Sequence, residues 1–260
     1  MATTTRRTRR GESSLSRAAI IDAAIALLDA GGEAGLTFRA LAQKLATGAG
    51  AIYWHVADKD DLLDAACDAI VAAAIATAAE GATARARIRA VGLGLFDAID
   101  AHPWVGAELA RSPARMPMLR IFESLGRPVR ELGVPAPALW LATSTLLNTI
   151  LGVAGQNAAN RRLARERGLA SRAAYLDSVA AAWARLDAEA FPFTRGMGEQ
   201  LRTHDDREDF AAGIDLILDG IGMLGRADAG TAPVPGGHGV PALREDATPP
   251  AGTAPRRPPA

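Results

Sequence analysis

The 260-residue chain is 49% hydrophobic and 22% charged, a composition that supports a sizeable core and excludes a wholly disordered polypeptide. Its 29 basic and 29 acidic residues cancel to a formal net charge of +0, so any surface suited to a polyanion must be local. A single cysteine, Cys67, excludes an intrachain disulfide framework and fits a reducing compartment.

Residues 1–13 carry Arg6, Arg7, Arg9 and Arg10 with little apolar content, and read as a disordered basic arm. No apolar run follows them, so they do not form a secretory signal. No stretch reads as a membrane span; the apolar run 65–79 is interrupted by Asp68 and is too short. The expectation is a soluble, cytoplasmic protein without a membrane partner.

Ser16 can cap a helix starting at Arg17, in which Ile20, Ala24, Leu27 and Leu28 fall on one stripe. Gly31-Gly32 should stop it. Thr37 is a second N-cap, for a short helix with Phe38, Leu41, Ala42 and Leu45 on its inner face; Thr47-Gly48 breaks it. A third short helix is predicted over 49–55, with Ile52 and Val56 turned inward and Trp54 also placed on the inner face as a packing residue. Asp58 then caps a long fourth helix, with Asp61 three residues on.

The pattern stays helical beyond that point. Segments 82–99, 118–132, 137–160, 171–190 and 207–224 are predicted as helices, and no run shows strand alternation. Pro128 should kink or break the second of these. Segment 137–160 is apolar nearly all round, so it is either central or covered by a partner chain. Tyr175, Val179 and Trp183 recur four apart in the fourth; Trp140 and Trp183 are read as packing residues. From residue 226 prolines crowd the chain, and 226–260 reads as a disordered tail.

Two short helices around a glycine-containing break fit a helix-turn-helix over 37–56. The second helix of such a unit must approach base edges in the major groove, which calls for small residues at its start. Ala49, Gly50 and Ala51 allow that approach. Tyr53 and His55 bring polar ends to the groove side, and Lys59 can meet a phosphate beside the free N–H groups of the next helix. Thr37 and Arg39 sit where such units cross the DNA backbone. Lys44, Thr47 and Gly48 complete the candidate set. The bare tip leaves few hydrogen-bonding groups for direct base reading, so backbone contacts and DNA shape carry more of the recognition.

The run Leu-Thr-Phe-Arg-Ala-Leu-Ala at 36–42, followed by Tyr53-Trp54-His55-Val56 and Lys59 ahead of Leu62-Leu63, resembles the N-terminal domain of TetR-family regulators. The Tyr-Trp-His-Val form is similar to the tetracycline-repressor branch. The resemblance is specific over about 14–74 and weaker over 97–113, 151–152 and 210–221. It implies an all-α homodimer. A three-helix helix-turn-helix domain at 14–74 would precede an effector-binding and dimerisation domain at 75–225. In that arrangement the long apolar helix and the last helix of each subunit form a four-helix interface. Filling a ligand cavity spreads the two recognition helices and releases operator DNA.

That branch also implies a histidine ahead of a proline and a carboxylate on the long helix, which hold a drug-bound magnesium. Here the corresponding positions are Glu108, ahead of Pro113, and Gln156. Neither tetracycline nor magnesium is therefore carried over, and no metal or cofactor is expected. His102, Trp104, Glu108, Pro113, Phe122, Asn148 and Gln156 form the candidate effector set for a small, largely apolar ligand. Asn148, Gln156 and Asn157 are polar groups on an apolar helix. Burial without partners is costly, so they bond a ligand, the other subunit or water. Cys67 is read as a small buried side chain.

The leading expectation is a ligand-responsive regulator, a repressor, that binds a pseudo-palindromic operator as a dimer. An enzyme would need a nucleophile–base pair, a metal motif or a phosphate loop. The chain has no H-E-x-x-H, G-x-S-x-G, C-x-x-C or P-loop sequence. A helical interaction protein acting without an effector is the remaining alternative.

Overall fold

The computed structural model describes residues 15–77, 82–169 and 171–227, so the basic arm and nearly all of the proline-rich tail lie outside the described residues. Twelve helices and no strand occur among them. The N-terminal unit comprises α1 (Arg17–Gly35), α2 (Phe38–Lys44) and α3 (Ala49–Ile52), with α4 (Lys59–Ala76) packed against α1. Three predicted caps are in place. The Ser16 hydroxyl accepts from the Ala19 N–H at 3.1 Å, Thr37 from Ala40 at 3.1 Å, and the Asp58 carboxylate from Asp61 at 2.8 Å. Gly31-Gly32 does not end α1. The backbone kinks at Gly32, whose φ is +61°, and one more helical turn follows.

The turn between α2 and α3 is a Schellman closure. The Thr47 N–H donates to the Ala42 carbonyl at 3.0 Å and the Ala46 N–H to Gln43 at 3.3 Å. Its left-handed residue is Ala46, at φ +51°, not the glycine. Gly48 has φ −84° and serves as the N-cap position of α3.

The C-terminal body is built from α5 (Ala84–Ala101), α6 (Trp104–Leu109), α7 (Met116–Glu131), α8 (Ala136–Glu166) and α12 (Asp206–Ala227). An excursion of α9 (Arg172–Ala184), α10 (Pro192–Gly196) and α11 (Gly198–Thr203) lies between the last two. α7 continues through Pro128 instead of breaking there. The helix ends three residues later, so the proline removes one ladder hydrogen bond from a last turn that α7 can spare.

α8 is long and apolar enough to span a membrane by length and composition alone, which the sequence reading did not anticipate. Here it packs against α5, α7 and α12 through Ala142, Leu146, Ile150 and Ala154. Its open side carries Leu141, Thr145, Asn148, Gly152 and Gln156, a stripe with polar members that hydrocarbon would penalise. Trp140 is also on the open side, 72% exposed, with its ring 5.5 Å from that of Phe122.

Two apolar cores result. Ile20, Leu28, Leu41, Ile52 and Leu63 belong to the first; Val71, Leu95, Ile121, Ile150 and Ile214 belong to the second. Trp104 packs against both. Its indole N–H and the His102 ring meet the same carboxylate oxygen, Oδ1 of Asp29 on α1, at 2.8 and 2.7 Å. On α4, Asp60, Asp64 and Asp68 recur every four residues and pair with Arg111, Arg115 and Arg120 at 3.3, 3.1 and 2.8 Å. The N-terminal unit is therefore tied to the body at two places, the α1 junction and the α4 ladder.

Candidate DNA-binding surface and effector cavity

α3 is one turn long, and everything that fixes it lies on one side. Ile52 and Val56 are buried, while Gly48, Ala49 and Gly50 are exposed. A Cβ built on Gly48 or Gly50 would meet nothing within 4 Å. The fold does not require a glycine at either position, so the bareness faces outward.

Tyr53 is 54% exposed and its ring stacks on Phe38 at a centroid distance of 4.3 Å, which joins the end of α3 to the start of α2. Trp54 is 89% exposed, correcting its assignment to the inner face. At about 100° per residue it lies roughly 200° round from Ile52, on the opposite side of the turn. His55 is half-buried, and its backbone carbonyl accepts from Arg17.

The remaining candidates lie around this tip. Arg39 and Lys44 are exposed on α2, and Ala51 and Thr47 are half-buried. The Thr37 oxygen accepts from Ala40, which leaves its O–H free to donate outward. Lys59 is placed differently from expectation. Its Nζ donates to the Glu33 carbonyl at 2.8 Å and lies 3.6 Å from the Glu33 carboxylate, so it joins the start of α4 to the end of α1. A long flexible stem lets the ammonium choose this internal acceptor over solvent.

The seven effector candidates are not brought together. His102 and Trp104 are engaged with Asp29. Glu108 is buried and neutralised by Arg111 at 3.3 Å and Arg115 at 3.0 Å, because a carboxylate there must be paired. Trp104 and Glu108 do border a separate cavity of about 370 Å³ between α1, α4 and α6. Pro113 is exposed between α6 and α7, Phe122 packs beside Trp140, and Asn148 is exposed on α8. Of the seven, Gln156 alone borders a cavity of about 510 Å³ between α8, α9, α11 and the first half of α12.

Sequence reasoning did not assemble that cavity. Its aromatic walls are Tyr175, Trp183 and Phe210, with Asn157 and Asn160 from α8. The signal was present in the spacing of Tyr175, Val179 and Trp183, a stripe that faces the cavity rather than the main core. Cys67 is fully buried, and burial, reinforced by the nearby Glu108, Asp64 and Asp68 carboxylates, pushes its thiol up to about 12.

The family profile for bacterial regulatory proteins of the tetR family matches residues 20–66, and that for the tetracyclin repressor-like C-terminal domain matches 77–224. The chain belongs to the TetR family. A solved TetR regulator of Streptomyces coelicolor, SCO7222, is 51% identical with a TM-score of 0.74, over 82% of this chain and 100% of that one. A 103-residue stretch is 36% identical to an HTH-type transcriptional regulator of Saccharopolyspora erythraea, and 58 residues are 50% identical to the class D tetracycline repressor of Escherichia coli. These stretches span 40% and 22% of this chain, and 44% and 27% of the relatives' lengths, so the chain covers less than half of either curated relative. This TetR protein is a DNA-binding transcriptional regulator rather than an enzyme, with an all-α, two-domain fold.

Proposed function

We propose that the protein is an effector-responsive repressor that binds a pseudo-palindromic operator as a homodimer in the cytoplasm. The observation that carries the reading is the exposed tip Gly48–Gly50, where a Cβ added at either glycine meets nothing within 4 Å. A rod of that kind fits a major groove, and Thr37, Arg39, Lys44, Tyr53 and His55 are ranged about it for phosphate and base contact. Support for the dimer comes from two open stripes, Leu141 to Gln156 on α8 and Ala212, Leu216 and Met223 on α12. Leu216 is 74% and Met223 65% exposed, a cost a second copy of the pair would remove.

The cavity behind α9 is the effector site in this reading. A small molecule with a largely apolar body, bound more tightly in the arrangement with wider-spaced recognition helices, shifts the population away from DNA. Movement of α6 and α7 reaches α4 through the Asp60–Asp64–Asp68 ladder and reaches α1 through Asp29.

Footprinting on the protein's own upstream region is the test. Two protected half-sites about 34 Å apart are expected, with protection lost in Tyr53→Ala. A single unpaired site, or unaltered binding by that variant, rejects the reading. Mass spectrometry of small molecules that copurify with the protein addresses the effector.

A further inference from the structure

The effector cavity is polarised. Beside it, sharing Asn157, Asn160, Tyr175, Leu176 and Asp206 with it, lies a lobe of about 230 Å³ between the last turns of α8 and the first turn of α9, bordered also by Arg161, Arg165 and Arg172. Arg161 pairs with Asp100 at 2.6 Å, and Arg172 pairs with Asp206. Arg165, one turn beyond Arg161, makes no ion pair among the described residues, so the lobe keeps one uncompensated cation. Away from the arginines His204 sits between Asp206, which borders both parts and also pairs with Arg172, and Asp209, which borders the larger part.

Asn157 borders both parts and is only 6% exposed. Its amide nitrogen donates to Asp100 at 3.1 Å. Its side-chain oxygen accepts no hydrogen bond among the described residues. An acceptor without an internal partner on a residue that borders a cavity is open to a donor from whatever fills it. Trp183 and Tyr175 supply flat walls between the two ends.

We propose that the cavity takes a hydroxylated aromatic carboxylate. The ring system lies against Trp183 and Tyr175, the hydroxyl donates to Asn157 Oδ1, and the carboxylate meets the guanidinium of Arg165 beside Arg161. Asp209, which borders the larger cavity but not the arginine lobe, repels the carboxylate from its end and so favours one direction of the ligand. A guanidinium fork matches a carboxylate in shape as well as charge. This inference rests on the cavity being the effector site and names the class of molecule it holds.

The probes are 1-hydroxy-2-naphthoic acid and its methyl ester, which share the rings and hydroxyl and differ in charge. Binding to the full chain is read by tryptophan quenching and calorimetry. The acid should bind at least about tenfold more tightly than the ester, and Arg165→Gln should bring the two within about twofold while the ester's Kd stays put. Equal affinities, a preference that survives Arg165→Gln, or no binding by either probe overturns the proposal. Operator release separates the two readings. If the acid binds with this preference but leaves the operator complex intact, the ligand class stands and the effector reading falls. If a neutral compound releases operator through the same cavity regardless of Arg165, the effector reading stands and the ligand class falls.

Discussion

The ring of Tyr53 lies nearly parallel to that of Phe38, 4.3 Å between centroids and 14° between planes. The pair bridges the two helices of the DNA-binding unit while the phenol stays over half exposed, so ring and hydroxyl have separable roles. Tyr53→Phe should keep the melting temperature and weaken operator binding roughly fivefold, the worth of about 1 kcal/mol for one hydrogen bond. Tyr53→Ala should also cost about 0.5–1.5 kcal/mol of stability through the lost stack. Fluorescence anisotropy and thermal melts distinguish the two, and undiminished operator binding by Tyr53→Phe would remove the hydroxyl from the interface.

Two glycines should respond oppositely to the same change. A methyl on Gly50 meets nothing, and alanine is the better helix former by about 0.5–1 kcal/mol. Gly50→Ala should therefore raise stability while reducing operator affinity, because on the proposed reading the methyl enters the groove. A Cβ on Gly94 would stand 2.5 Å from the backbone carbonyl of Ala74, where α4 and α5 approach. Gly94→Ala should cost about 1–3 kcal/mol through forced separation of those helices. Urea unfolding of both variants checks the signs.

Ala46 holds a left-handed backbone, φ +51°, at the closure of α2. That conformation costs an L-residue roughly 1–2 kcal/mol, and glycine's greater unfolded freedom returns part of the gain. Ala46→Gly should stabilise the protein by roughly 0.5–1 kcal/mol, read as a raised denaturation midpoint. An unchanged or lowered midpoint would show that the turn is not strained.

The much of the helix-turn-helix that was legible in the sequence was the part written locally. The Ser16, Thr37 and Asp58 side chains each satisfy the N–H three residues on, so cap and helix start are read together. Trp54 was misplaced because its size argued for burial, whereas the Ile52–Val56 spacing fixes the buried side and leaves residue 54 opposite. Glu108 reads as a ligand group in the sequence because Arg111 and Arg115 become visible as its partners only once α6 and α7 are folded beside it. The cavity needed residues 149–213 from four helices, and no local spacing specifies how α9 returns over α8.

Cys67 should resist alkylation in the native state. Its thiol is fully buried and its ionisation lies near 12, so thiolate is scarce at pH 8. Iodoacetamide followed by mass spectrometry should find no adduct until denaturant unfolds the chain. Rapid labelling of the folded protein would contradict the packing around α4.

Asp61 ties α1 to the start of α4. The Arg17 guanidinium, with the Ala57 N–H, holds its carboxyl below the ordinary value of 3.8. A depressed folded value means that the contribution is complete above the unfolded value and lost as pH falls through the folded one. Stability should decline below about pH 4, with a small amplitude because the pair is largely solvated. Asp61→Asn should flatten that component of the acid limb in pH-dependent urea unfolding; an identical limb would mean the pair contributes nothing.

The indole of Trp104 is shared property of two interiors, and its N–H is answered by a carboxylate on the other side of the junction. The reading head is thus not a detachable cassette. A chimera that grafts the first 60 or so residues of a sister regulator onto this body inherits an orphaned indole unless the graft brings an acid at position 29 and a matching hollow around Leu28, so exchange of specificities has to cut behind the junction rather than at it.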